Sequence, residues 1–232
     1  MKLAIMQPYF FPYIGYFQLI DSADVFAVYD DVNYIKKGWI NRNNILVNGK
    51  AHLLGIPLQD ASQNKLINEI HIDASSAWKN NLLKTIDLNY KKAPFFAAVF
   101  PMLKQIIENP EQNLSDFVTY SIQQICGYLR IETKIILSSE LEKNNTLRAQ
   151  DKIIEICKAT GATSYHNAIG GIELYERKAF ENENITLRFI KTNAVAYPQF
   201  KNEFIPWLSI IDVMMFNSTP AIRELLNQKE FI

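Results

Sequence analysis

The first 30 residues run as a short apolar stretch, a polar proline turn, an amphipathic stretch and a second apolar run, an order that few folds accommodate. Leu3 to Met6 reads as a buried strand stopped at Gln7-Pro8. Ile14 to Asp21 reads as a helix, and Val25 to Tyr29 as a second buried strand. Strand, tight turn, helix and strand at this spacing form a βαβ unit with parallel strands. Such a sheet opens its ligand crevice beyond the carboxyl ends of the strands. Gln7–Tyr9 and Asp30-Asp31 both fall at those ends, so two separate strand readings meet on one edge.

The remaining pattern extends the same architecture. Ile45-Leu46-Val47 and His52-Leu53-Leu54 flank Asn48-Gly49, which predicts a hairpin with a primed turn. Leu66 to Ile72 alternates and predicts another strand. The middle is helical: Trp78 to Tyr90, Phe96 to Ile107 with Pro101 as a kink or break, and Leu114 to Leu129, whose apolar spacing follows a helix without a miss. Lys134 to Leu137 reads as a strand, Arg148 to Thr160 as a helix ended by Gly161, and Ile185 to Ile190 as a strand. Ser209 to Asn217 reads as a helix with a capping-box-like Ser209-x-x-Asp212, and Thr219-Pro220 starts the last helix. With no repeat or linker, residues 1–232 are expected to form a single domain. The fold class expected is α/β: a Rossmann-like three-layer sheet, mostly parallel, with an inserted β-hairpin and a helical middle segment.

Charge narrows the partners. Lys plus Arg equals Asp plus Glu at 24 each, so no global field draws the protein to nucleic acid or an anionic membrane. No apolar run is long enough to span a bilayer and the start lacks a signal-peptide pattern, so the cytoplasm is the expected compartment. Cys126 and Cys157 fall on apolar helix stripes and read as reduced core residues. His52, His71 and His166 lie in distant segments without metal-ligand spacing, so no metal site is expected. His52 and His71 read as structural, while His166, between Gly161 and Gly170-Gly171, is a candidate pocket residue. Gly170-Gly171 alone is a weak phosphate-loop signal.

The candidate site lies near the N-terminus. Ten aromatic residues fall in the first 39 positions, threaded around Gln7-Pro8-Tyr9 and the stretch from Asp30-Asp31 to Arg42. Flat apolar walls beside both signs of charge fit a pocket for a polar organic molecule. Asp30 or Asp31 is placed to act as a general base or to grip an amine, against the plainer reading of a solvated, capping turn. Lys36, Lys37 and Arg42 surround Trp39 and Asn41; the guanidinium fork suits phosphate or carboxylate, and the indole suits a base or sugar face. The geometry expected is one concave wall shared by both carboxylates and the guanidinium.

The stretch MQPYFFPYIGYFQLIDSADVFAVYDDVNYIKKGWINRNNI resembles the start of the WbqC-like family, with its QPxYxPxxGYF, DDVxY, Trp and NRN elements. The resemblance continues through WKNNLLKTIDLNYKKAPFF, LSSEL and YPQFKNEFIPWLSIIDVMMFN. It implies a role in surface polysaccharide (O-antigen) biosynthesis, as a transferase moving an aminoacyl, glycyl or acyl group to the amine of a nucleotide-linked sugar. The matching polar positions are Gln7, Asp30, Asp31, Lys36, Asn41, Arg42, Gln199 and Asp212. The resemblance transfers no catalytic residue; from their chemistry and place at or beyond the strand ends, Asp30, Asp31 and Lys36 are the candidate catalytic residues. Gln7, Tyr9, Tyr16, Trp39, Asn41, Arg42, His166, Gln199 and Asp212 are the candidate substrate-binding residues. No cofactor is required by the sequence, and the donor is left open between a carrier-bound acyl or aminoacyl thioester and an ATP-activated amino acid, neither of which the residues mark. The family pattern is broken at SYHNAIGG after Gly161 and at Trp207, where Asn is frequent, so an acceptor pocket built there would differ. Two other readings are a nucleotidyltransferase-like enzyme, which the lack of an HxGH-type histidine pair weighs against, and a non-catalytic module binding a sugar nucleotide.

Overall fold

The computed structural model describes residues 1–201 and 203–232. In chain order the elements begin with β1 (Lys2–Met6), α1 (Ile14–Asp21) and β2 (Val25–Val28). The hairpin β3 (Arg42–Val47) and β4 (Lys50–Gly55) and the short pair β5 (Leu58–Gln59) and β6 (His71–Ile72) follow. Three helices come next: α2 (Ala77–Tyr90), α3 (Phe96–Glu108) and α4 (Leu114–Leu129). The chain then returns to the sheet through β7 (Lys134–Leu137), α5 (Ala149–Thr160), β8 (Ser164–Ala168), α6 (Arg177–Asn182) and β9 (Thr186–Thr192). It ends with α7 (Ile210–Phe216), α8 (Thr219–Asn227) and β10 (Lys229–Phe231).

The central sheet has the order β10-β9-β8-β1-β2-β7, parallel except for β10. From β1 the chain steps outward to β2 and β7, then crosses back to lay β8 and β9 on the other side of β1. The progression therefore reverses between β1 and β8. Side chains alternate across the pleat and create two cores. Leu3, Ile5, Ala27, Tyr165 and Leu187 meet Ile153, Ile156, Cys157 and Phe180 of α5 and α6. Ala4, Phe26 and Val28 meet the opposite layer, including Phe17 of α1, Ile122 of α4 and Ile222 of α8. The result is a mixed α/β fold with helices on both faces of a mostly parallel sheet.

Local chemistry fixes the element ends. Asn48 and Gly49 take φ of 50° and 73°, the paired left-handed conformation that a two-residue primed turn requires. Asn113 caps α4 by accepting from Ser115 N at 2.9 Å, and Gly161 closes α5 at φ 71°.

Four segments differ from the sequence expectation. Leu66 to Ile72 is a 3₁₀ turn over Ile67–Glu69 followed by β6, not one strand. The Glu69 carboxylate accepts from Leu66 N at 2.8 Å and curls the chain, and Ile67 and Ile70, three apart, are both fully buried. Residues 164–168 form β8, although Ser164, His166 and Asn167 give it no apolar run. Helix α3 continues through Pro101. Ser209 caps α7 through Ile211 N at 3.2 Å, but the Asp212 carboxylate does not reach back to close a capping box; it accepts from Tyr90, Tyr197 and Gln199 instead. Among the described residues no helix is long and apolar enough to cross a membrane.

Candidate functional site

A cavity of about 660 Å³ opens beyond the carboxyl ends of β1 and β8, where the strand order reverses. Ile5, Met6 and Gln7 reach it from β1, and Asn167 and Ala168 from β8, with Gly170-Gly171 following. Its walls are rings: Tyr9, Tyr13, Tyr16, Tyr29 and Tyr175, with Trp39 and Trp207 left 46% and 69% exposed. No described residue lining it carries a charge.

These walls follow from sequence details. Tyr16 on α1 donates its hydroxyl to the Gln7 carbonyl at 2.9 Å and packs 5.6 Å from the Tyr9 ring, so helix and turn hold each other. Gly15 lets Tyr13 fold over the start of α1, since a Cβ there would stand 2.2 Å from the Tyr13 hydroxyl. Gly171 does the same for Asn167, whose Nδ2 lies 2.6 Å from the space a Cβ would fill. Asn167 Oδ1 accepts from Ala168 N at 2.8 Å. Burial raises the pKa of Tyr9, Tyr16, Tyr29 and Tyr175; at Tyr29 the nearby Asp31 charge raises it further. These phenols keep their protons at neutral pH, so they can bond hydroxyl and carbonyl groups but do not serve as bases.

The two acidic residues that follow β2 are buried behind this wall. Asp31 Oδ2 is 2.9 Å from both Lys143 Nζ and Lys152 Nζ, and its Oδ1 accepts from Ser138 Oγ at 2.8 Å. Burial alone would raise its pKa; hydrogen bonds from Lys143, Lys152 and Ser138 outweigh that and hold it below the ordinary carboxylate value. Lys152 Nζ also donates to the Asp31 carbonyl at 2.6 Å and sits 5.3 Å from the centre of the Tyr29 ring. Asp30 accepts from Ser139 N at 3.0 Å and Ser139 Oγ at 2.6 Å. The pair therefore ties the ends of β2 and β7 to α5.

The shared wall expected from the sequence is corrected by these contacts. Arg42 donates Nε to the Gly38 carbonyl at 3.0 Å and a terminal nitrogen to the Lys37 carbonyl, closing its own loop. Neither this guanidinium nor Asp30 or Asp31 lines the cavity. Lys36 is exposed on the loop before Trp39. Asn41 accepts from Tyr34 at 2.9 Å and donates to the Ile56 carbonyl at 2.9 Å, which are framework contacts. His166 is buried with Nδ1 3.1 Å from Ser22 Oγ and does not line the cavity; burial, with Lys2 and Arg188 nearby, lowers its pKa to about 4. Asp212 sits in a buried knot, accepting from Tyr90 and Tyr197 at 2.8 Å each and from Gln199 at 2.6 Å. Tyr90 in turn accepts from Leu46 N at 2.7 Å, so this knot supports the hairpin.

The structure thus brings Gln7, Tyr9, Tyr16 and Trp39 together at the cavity. It places Asp30, Asp31, Lys36, Asn41, Arg42, His166, Gln199 and Asp212 off its lining. Asn43, Asn167, Tyr13, Tyr175 and Trp207 complete the wall, and Lys143 and Lys152 clamp Asp31; of these the sequence pointed only to Trp207 and the segment holding Asn167, as departures from the family pattern, and named none as a binding residue. Gly170-Gly171 was the available signal for the β8 side. Among the described residues no three His, Cys, Asp or Glu side chains gather as a metal site.

Fold and cavity together define an α/β protein with an uncharged, aromatic-walled crevice at the carboxyl edge of a parallel sheet. The chain belongs to the WbqC-like protein family, whose model matches residues 7–224. It is 29% identical over 219 residues to the Mycobacterium tuberculosis (strain ATCC 25618 / H37Rv) protein described as uncharacterized protein Rv1507c, covering 93% of each chain. No solved structure matches it.

Proposed function

We propose that the crevice binds a nucleotide-linked amino sugar and that the protein transfers an acyl or aminoacyl group to its amine in surface polysaccharide (O-antigen) biosynthesis. The observation that carries this reading is the uncharged, aromatic cavity at the point where strand order reverses. The sheet order matches that of doubly wound, Rossmann-like folds, which bind nucleotides at this position. A cavity of about 660 Å³ suits a ligand of this size. Tyr9 and Trp39 offer faces for a sugar or base, and Gln7 and Asn167 offer amides for hydroxyls. Exposed Lys36 and Lys37, beside Trp39, give the pyrophosphate counter-charge at the rim, where it stays partly hydrated. On this reading Asp31 is a positioning residue that steadies Tyr29 through Lys152, and the donor is a carrier-bound thioester or an activated amino acid.

A non-catalytic sugar-nucleotide module is the second reading. It is favoured by the lack of any titratable group, other than protonated phenols, among the described lining residues.

The test is thermal shift with a panel of nucleotide sugars, followed by mass-spectrometric detection of acylated product. Saturation at 100 times Kd stabilises the protein by about 2.7 kcal/mol. At roughly 2–4 °C per kcal/mol that raises Tm by about 5–11 °C. Trp39→Ala should lose about tenfold in affinity through lost stacking. A panel in which no nucleotide sugar moves Tm refutes both readings; binding without product leaves the module.

A further inference from the structure

A second cavity, of about 290 Å³, lies against the first. The two share Tyr13 and Trp207, whose rings meet edge to face with centroids 5.6 Å apart. Its remaining walls come from the chain after β9, the stretch from Phe204 to Leu208, and α7; Ile14, Val195, Phe204, Pro206, Leu208 and Val213 are typical of the lining. No described residue lining it is charged. Tyr197 donates its hydroxyl to Asp212 at 2.8 Å and so offers the cavity little besides its ring.

The partition has two unusual features. Trp207 holds φ at 62°, a left-handed conformation disfavoured for a large side chain. It also leaves 69% of its surface exposed, an arrangement a buried-core role does not explain. The indole stands instead between two cavities of different character, one ringed by phenols and amides and the other nearly all aliphatic and aromatic carbon.

We propose, resting on the transfer reading for the head group, that the smaller cavity holds the aliphatic chain of the acyl donor. The chain's carbonyl end lies at the Tyr13–Trp207 partition, beside the sugar amine in the larger cavity. At the ~30 Å³ that a water-sized group occupies, the cavity accepts about ten non-hydrogen atoms, a straight chain of roughly eight to ten carbons. A glycyl group would bring an ammonium into a lining without counter-charge, which desolvation opposes. The step is aminolysis of a thioester: the C–N bond forms as the C–S bond breaks, and the proton lost by the amine leaves with the thiol.

The test is titration of the full chain with uncharged S-acyl N-acetylcysteamine thioesters of two to twelve carbons, followed by calorimetry. Affinity should rise about fourfold per methylene until the cavity is full, then level off. Ala196→Phe and, separately, Ala194→Phe add bulk to the loop that lines the cavity. In either variant, provided its melting curve shows it folded, the rise should stop at a shorter chain. Affinity independent of chain length, or a rise unchanged in both folded variants, overturns the proposal. Nucleotide-sugar binding without any chain-length dependence removes only this inference. Chain-length dependence without nucleotide-sugar binding keeps the apolar site and removes the transfer reading.

Discussion

Replacing Asp31 with asparagine keeps the side chain's shape and removes the charge between Lys143 and Lys152. Both ammonium groups are almost fully buried and each stands 2.9 Å from the carboxylate. Breaking a buried ion pair by removing one partner costs about 3–5 kcal/mol, because the other charge stays desolvated. For a chain of this length that corresponds to a Tm lower by roughly 6–20 °C. The sign of the pH dependence follows from the same contacts. The Asp31 pKa is depressed in the folded state, so its stabilisation is present above the unfolded value of about 3.9 and is lost as pH falls through the lower folded value. Thermal melts of wild type and Asp31→Asn between pH 3 and 7 should therefore converge at the acid end. Adding Lys152→Met to Asp31→Asn should cost less than the two single changes combined, since it removes one of the stranded charges. A Tm within about 2 °C of wild type at pH 7 would show that the cluster is solvated and that Asp31 is free for another role.

Three further perturbations test the framework and the wall. His166, neutral and buried with its pKa lowered to about 4, binds fewer protons folded than unfolded, so stability should fall as pH drops from about 6.5 to 4. His166→Asn should flatten that part of the stability profile measured by urea unfolding. Asp212→Leu strands the Tyr90, Tyr197 and Gln199 donors and should cost at least about 3 kcal/mol by denaturant titration; a loss under about 1 kcal/mol refutes the closed knot. Gly171→Ala must displace Asn167, whose Nδ2 would lie 2.6 Å from the new methyl. It should weaken nucleotide-sugar binding about tenfold by calorimetry with only a small change in Tm, and unchanged affinity would exclude Asn167 from the ligand contacts.

Elements that carry their own periodicity were legible in the sequence. The spacing in α4, the apolar runs of β1, β2 and β7, and Asn48-Gly49 each depend on neighbours within a few residues. Strand β8 was not legible, because its polar residues give no apolar run and what buries them lies elsewhere: His166 meets Ser22 144 residues away, and the strand itself pairs with β1 and β9. The crevice shows the same division. Gln7, Tyr9, Tyr16 and Trp39 come from one short segment that marks itself by its aromatics. Tyr175 and Trp207 arrive only through the crossover that lays β8 and β9 beside β1. Charge was the misleading signal: Asp30-Asp31 suggested a ligand grip because the lysines that neutralise Asp31 lie more than 100 residues away.

That displacement of charge bears on how the crevice selects a ligand. Asp30, Asp31 and Asp212 all accept hydrogen bonds from framework donors, so their positions hold strands, α5 and the hairpin together without facing the cavity. An unpaired charge on a wall of rings would be costly to desolvate, and it would draw ions in place of a sugar. A neutral wall makes recognition depend on flat faces and hydroxyl geometry; under the nucleotide-sugar proposal the phosphates would stay outside this wall, with the exposed Lys36 and Lys37 of the Trp39 loop as their counter-charge. Binding through that division should depend weakly on salt for the sugar portion and strongly for the pyrophosphate. Raising ionic strength should therefore narrow the affinity gap between a nucleotide sugar and its uncharged nucleoside and sugar fragments; a gap that stays constant would place the phosphates inside the cavity after all.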